Sequence, residues 1–140
     1  IALKNNLIPI VCIGEKTRLR QGFGREARGG DFKNFIQEQI AKTFEGIDDR
    51  EISKCIVAYE PVWAISTNFG AKPDTLESAL ESIDMIRNAL TVSYYLYGGS
   101  ISSKNVADFL SKKEIDGVLI GGASVNKEEF LKILGMVSKI

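Results

Sequence analysis

The sequence predicts an α/β protein in which a parallel sheet is covered by helices, and three observations support that reading. The apolar runs, at residues 7–13, 55–58, 92–96 and 118–120, are short, nearly continuous and rich in β-branched side chains, as expected of parallel strands buried on both faces. Each run is followed by a segment whose apolar residues recur with a helical period, so strand and helix alternate four times. No linker or compositional shift divides the 140 residues, so residues 1–140 are expected to form a single domain.

Residues 7–13 are read as the first strand. Asp31 opens the helix that follows, with Phe32, Phe35, Ile36, Ile40 and Phe44 on one stripe and Gly46 as its end. Residues 55–58 form the second strand. The next helix starts at Asp74, read as its cap with Glu77 in the reciprocal position, and carries Leu76, Leu80, Ile83, Ile86 and Leu90 on one face. The third strand, residues 92–96, leads to a shorter helix after Ser103 through Val106, Phe109 and Leu110. After the fourth, residues 118–120, Asn126 and Glu129 have capping-box spacing ahead of Phe130, Leu131, Leu134 and Val137.

Composition removes whole classes of function. Eighteen basic residues balance 18 acidic ones, so no overall field is available to hold a nucleic acid or an anionic membrane, and neither is expected as a partner. Two cysteines, Cys12 and Cys55, and no histidine leave no disulfide framework, zinc knuckle or serine–histidine triad, and no metal site is expected. No apolar run approaches the ~20 residues of a membrane span. A hydrophobic content of 44% with 26% charged residues fits a folded cytoplasmic protein. Lys16, Arg18, Arg20, Arg25 and Arg28 crowd one stretch, which is read as a solvated surface. Within it, Gly22-Phe23-Gly24-Arg25-Glu26-Ala27 fits a dinucleotide pattern only superficially, because polar residues separate it from the preceding strand.

Chemistry is expected at the carboxyl ends of the strands, the edge at which parallel α/β sheets bind ligands. Tyr97-Gly98-Gly99-Ser100 follows the third strand and Gly121-Gly122-Ala123-Ser124 the fourth. A glycine pair either turns a strand into a helix or lets backbone amides approach an anion; two pairs on consecutive strands favour a small phosphate. Glu60 ends the second strand and is followed by Pro61 and an apolar run. A carboxylate there is either ion-paired or partly desolvated, and partial desolvation makes a better base. Residues 66–70 are small enough to form a lid.

Four strings, Cys12-Ile13-Gly14-Glu15, Tyr59-Glu60-Pro61-Val62-Trp63-Ala64-Ile65, Tyr97-Gly98-Gly99-Ser100 and Asp116-Gly117-Val118-Leu119-Ile120-Gly121-Gly122-Ala123-Ser124, resemble in order and approximate spacing the motifs of the triosephosphate isomerase family. The resemblance implies a (β/α)8 TIM barrel of ~250 residues, of which this chain supplies the last four β/α units, a carboxyl-terminal half-barrel. It also implies interconversion of dihydroxyacetone phosphate and glyceraldehyde 3-phosphate by proton transfer through an enediolate, with no cofactor. The family is itself the standard example of a glutamate base beneath a closing lid.

By resemblance Glu60 is the catalytic base. Ser66, Ser100, Gly121 and Gly122 hold the substrate phosphate. Pro61, Val62 and Trp63 form the entering hinge of the lid, Phe69, Gly70 and Ala71 its exit, Tyr97 holds the closed lid, and Glu15 lies near its open position. This chain departs from the family in carrying Ser66-Thr67-Asn68 for Gly-Thr-Gly and Phe69 for lysine, substitutions expected to hinder closure by about 1 kcal/mol or more. The family's electrophilic histidine and substrate-binding asparagine and lysine belong to its amino-terminal half. An amino-terminal half-barrel or a second copy is therefore the expected partner, the intact family working as a homodimer. The alternative is a non-catalytic phosphate-binding half-barrel, truncated or engineered; a diverged interaction module using the basic segment ranks third.

Overall fold

The computed structural model describes residues 1–16, 31–65 and 74–140. Four strands, β1 (Ile10–Ile13), β2 (Ile56–Tyr59), β3 (Tyr94–Tyr97) and β4 (Gly117–Val118), form one sheet in sequence order. Every pairing is parallel. Helices α1 (Asp31–Thr43), α3 (Leu76–Ala89), α4 (Val106–Leu110) and α5 (Lys127–Val137) accompany the strands, with a short α2 (Asp49–Ile52) before β2. Consecutive parallel strands with flanking helices make this an α/β half-barrel.

The register separates the two faces of the sheet. Ile13, Tyr59, Tyr97 and Val118 lie side by side, as do Val11, Val57 and Tyr95. These residues face the helices: Ile13, Val57, Tyr59, Tyr95 and Tyr97 are buried, and Tyr97 stacks on Phe109 of α4 with ring centroids 4.2 Å apart. The other parity forms the concave face. There Ile10 is 49% and Tyr94 55% exposed, and Cys12 is also exposed. The expectation of strands buried on both faces is therefore corrected for β1 and β3, whose exposure alternates. A continuous apolar run registers what each side chain can bury, but half a barrel covers only the helical side.

Other boundaries shift for local reasons. The first strand begins at Ile10 instead of residue 7, because Leu3–Asn5 forms a 3-10 turn ended by Asn6 at φ 57°, leaving Leu7 and Ile8 exposed. Strand β2 runs one residue further than predicted, to Tyr59. The third strand starts two residues late, at Tyr94, and the fourth is only Gly117–Val118. Helix α1 ends at Thr43 and Gly46 follows at φ 73°, but Phe35 on its predicted stripe is exposed. Thr75, not Asp74, caps α3: its hydroxyl accepts the Ser78 N–H at 3.2 Å, while the Asp74 carboxylate accepts the Thr75 N–H. The unpredicted α2 is capped by Asp48. On α5 the residue driven into the core is Ile133, while Leu131, Leu134 and Val137 remain exposed.

Candidate active site

Glu60 follows β2 directly, at the carboxyl edge of the sheet. Its N–H donates to the Ile13 carbonyl at 2.8 Å, and the Gly98 N–H donates to the Tyr59 carbonyl at 2.8 Å, so the ladder on both sides continues past the strand and fixes the glutamate backbone. Continuing the register by one residue places Gly14 and Gly98 on either side of Glu60. A β-carbon at Gly14 would overlap the Glu60 carbonyl, and one at Gly98 would lie 2.6 Å from Glu60 Cγ and 3.3 Å from Oε1. Gly98 therefore leaves the slot that the half-buried Glu60 side chain occupies, while Gly14 lets its strand pass close to the Glu60 main chain. For Gly98 this is a different reason from the one read in the sequence: the missing side chain makes room for the glutamate, whatever else the amide does.

Cys12, one turn of the pleat below on the concave face, shares this slot. Burial first, and then the charge of the Glu60 carboxylate and a hydrogen bond with it, push the Cys12 thiol up to about 11. The thiol stays protonated at neutral pH and is a donor to Glu60.

The turn after Glu60 is held from the other side. Pro61 is buried, and Val62–Ala64 forms a 3-10 turn. Glu15, only 2% exposed, accepts the Trp63 indole N–H at 2.8 Å and the Tyr59 hydroxyl at 3.0 and 3.2 Å. Its carbonyl accepts the Val62 N–H at 3.0 Å. A buried carboxylate is tolerable only with such donors. The turn carrying Glu15 is itself secured by α1, where the Gln39 amide oxygen accepts the Gly14 N–H at 3.0 Å.

Ser100 touches the same turn directly, its hydroxyl donating to the Ala64 carbonyl at 2.6 Å. Tyr97, beside Ser100 in sequence, is buried under the sheet between Tyr59 and Phe109. Burial and, next, the Asp74 carboxylate push its hydroxyl well above the ordinary tyrosine range. Gly121 and Gly122 are exposed at the carboxyl end of β4, with open space where a Gly121 side chain would stand. Ser66, Phe69, Gly70 and Ala71 lie outside the described residues, as does most of the basic stretch after Lys16.

The structure thus brings Glu60, Pro61, Val62, Trp63, Tyr97 and Ser100 to one edge, with Glu15 beneath them. Tyr59, Gln39 and Cys12 were not singled out by their chemistry in the sequence. The available signal was membership of the recognised strings, Tyr59 beside Glu60 and Cys12 two residues ahead of Gly14, while Gln39 carried none.

A family model described as triosephosphate isomerase matches residues 1–137. The protein named triosephosphate isomerase of Mycoplasma mobile is 41% identical over 134 residues, covering 95% of this chain and 50% of that protein. Proteins of the same name from Dictyoglomus turgidum and Caldanaerobacter subterraneus are 37% and 36% identical, each covering 95% of this chain and 53% of their own length. The chain spans about half the length of these curated relatives. With a matching family model over nearly all its residues, and the family's strings gathered along one sheet edge, the chain belongs to the triosephosphate isomerase family.

Proposed function

We infer that this chain supplies the general base, the lid entrance and the phosphate grip of an enzyme that interconverts dihydroxyacetone phosphate and glyceraldehyde 3-phosphate. The observation that carries the reading is the slot around Glu60, where Gly98 makes room for a half-buried carboxylate at the carboxyl edge of the sheet beside the first glycine corner, and the ladder through Ile13 and Tyr59 fixes its backbone. In this role Glu60 removes a proton from one substrate carbon and returns it to the neighbouring one, passing through an enediolate. Ser100, Gly121 and Gly122 donate to the phosphate, joined by Ser66 when the lid closes. Residues 61–63 and 69–71 are its hinges, and Tyr97 holds it shut. The chemistry moves a proton and requires neither metal nor cofactor.

The developing oxyanion also needs an electrophile, and the 140 residues contain no histidine. Donors of that kind are worth roughly 10²–10³ each in rate, so the reading requires a complementary half-barrel. An amino-terminal half or a second copy is proposed, and its seat is the concave face on which Ile10 and Tyr94 are exposed. The completed barrel is proposed to pair as a homodimer in the cytoplasm. Among the described residues no helix is long and apolar enough to cross a membrane. The absence of histidine also favours a second reading, a phosphate-binding half-barrel without catalysis.

An isomerase assay decides between them. With the complementary half supplied, activity is expected to appear, and Glu60→Gln to lower it by about 10²–10⁴-fold. A folded, completed barrel with no activity above the Glu60→Gln level would leave only phosphate binding.

A further inference from the structure

The two glycine corners are tied together by a carboxylate that does not close its own capping box. At the start of α5, the Asn126 side chain accepts the Glu129 N–H at 3.0 Å, which is the first half of that motif. In the second half Glu129 would turn back to the Asn126 N–H. Instead the Asn126 N–H donates to the Ala123 carbonyl at 3.3 Å, and Glu129 Oε1 accepts the N–H of Ser103, in the loop after β3, at 2.7 Å.

Both ends of this link are firmly held. On the β3 side, the Asn105 side-chain amide donates to the Ser100 carbonyl at 2.9 Å, and its oxygen accepts from the Ser102 N–H at 2.8 Å and the Ser102 hydroxyl at 3.3 Å. The Lys104 N–H donates to the Ser102 hydroxyl at 3.3 Å. Ser103 therefore sits in a loop fastened to Ser100 through Asn105 and Ser102. On the β4 side, the Ser124 N–H and hydroxyl both donate to the Gly121 carbonyl, at 2.9 and 2.7 Å, within the 3-10 turn Gly122–Val125 that runs into Asn126. A path thus runs from Ser100 through Asn105 and Ser102 to Ser103, crosses the hydrogen bond to Glu129 on α5, and follows the chain back through the 3-10 turn to the corner at Gly121. The Ser103 backbone N–H and then its hydroxyl also hold the Glu129 carboxyl below the usual carboxylate range.

We propose that Glu129 is a positioning residue that sets the spacing of the two glycine corners, so that both sets of amides grip one phosphoryl group together. The proposal rests on the phosphate reading given above and adds to it the element that makes the two corners one site. Preorganised donors bind more tightly because their ordering does not have to be met at the moment of binding.

The test is a titration of inorganic phosphate into the full chain, following the backbone amide signals of Ser100, Gly121 and Gly122. In the parent protein the three signals should move with one dissociation constant. In Glu129→Ala the constant should rise about tenfold, the value of one typical hydrogen bond, and the Ser100 signal should part from the glycine signals. Glu129→Gln keeps an acceptor and should remain close to the parent. Asn126→Ala removes the helix cap but leaves the Glu129 to Ser103 bond, so it should lower the melting temperature without parting the signals. If Glu129→Ala does not fold, Ser103→Pro removes the donor instead and should give the same parting. Parent signals that move together, and move identically in Glu129→Ala or Ser103→Pro, overturn the coupling while leaving the phosphate site standing. Parent signals that never move overturn the phosphate reading and the coupling with it.

Discussion

The indole N–H of Trp63 donates to the buried carboxylate of Glu15 at 2.8 Å, so the chain's single tryptophan reports on the turn that follows Pro61. Glu15→Leu removes the acceptor for both Trp63 and the Tyr59 hydroxyl. It should destabilise the fold by about 1–3 kcal/mol, the usual cost of stranding a buried donor, and shift tryptophan emission as the indole leaves its partner. Denaturant titration and steady-state fluorescence check the two effects. Unchanged emission would mean that Glu15 does not set the position of Trp63.

Gly98→Ala places a methyl group 2.6 Å from Glu60 Cγ. The cheapest relief is rotation of the glutamate side chain out of its slot, so the fold should persist while the base is misplaced. In the completed barrel kcat should fall by roughly 10²-fold with little change in thermal stability, since displacements near 1 Å cost that much in positioned catalysis. Gly14→Ala meets backbone instead of a side-chain end, and its expected outcome is loss of folding. Circular dichroism melts separate the two.

The Cys12 thiol, pushed up to about 11, should alkylate slowly at neutral pH despite its exposure. Its rate should rise through a midpoint well above the ordinary thiol value of ~8.5. Glu60→Gln removes the neighbouring negative charge and should lower that midpoint. Because the folded chain holds its thiol proton more tightly than the unfolded one, this group weakens the fold as pH climbs from ~8.5 toward 11 and is neutral below that window. Alkylation rates against pH, for parent and variant, provide the measurement.

Ser100→Ala keeps the backbone amide but removes the hydroxyl that donates to the Ala64 carbonyl at 2.6 Å. Hydrogen exchange at residues 62–64 should quicken, while phosphate affinity at the Ser100 amide stays within about threefold, the loss of one part-buried hydrogen bond being local. A large loss of affinity with unaltered exchange would assign the hydroxyl to the ligand instead of the lid.

Sequence was most informative where chemistry is local. The string from Tyr59 to Ile65 places strand end, carboxylate, proline and turn consecutively, and Asn126 and Glu129 signal a helix start by spacing alone. Partnerships made by folding were not legible. Glu129 has the spacing of a closed capping box, yet its carboxylate crosses to Ser103 because β3 and β4 are neighbours. Gly98 reads as a phosphate glycine, and only the register of β2 with β3 reveals that it also clears space for Glu60. The apolar runs announced strands but not which of their faces this half would leave open, because hydropathy carries no record of the partner that covers a side chain.

Gly98 leaves room for the Glu60 side chain, and Gly14 lets the neighbouring strand pass close to the Glu60 main chain. That main chain shares the stiffness of the hydrogen-bonded ladder, whereas Trp63 and Ala64, beyond Pro61, are tethered through side chains. Loss of those tethers would leave the ladder around Glu60 intact.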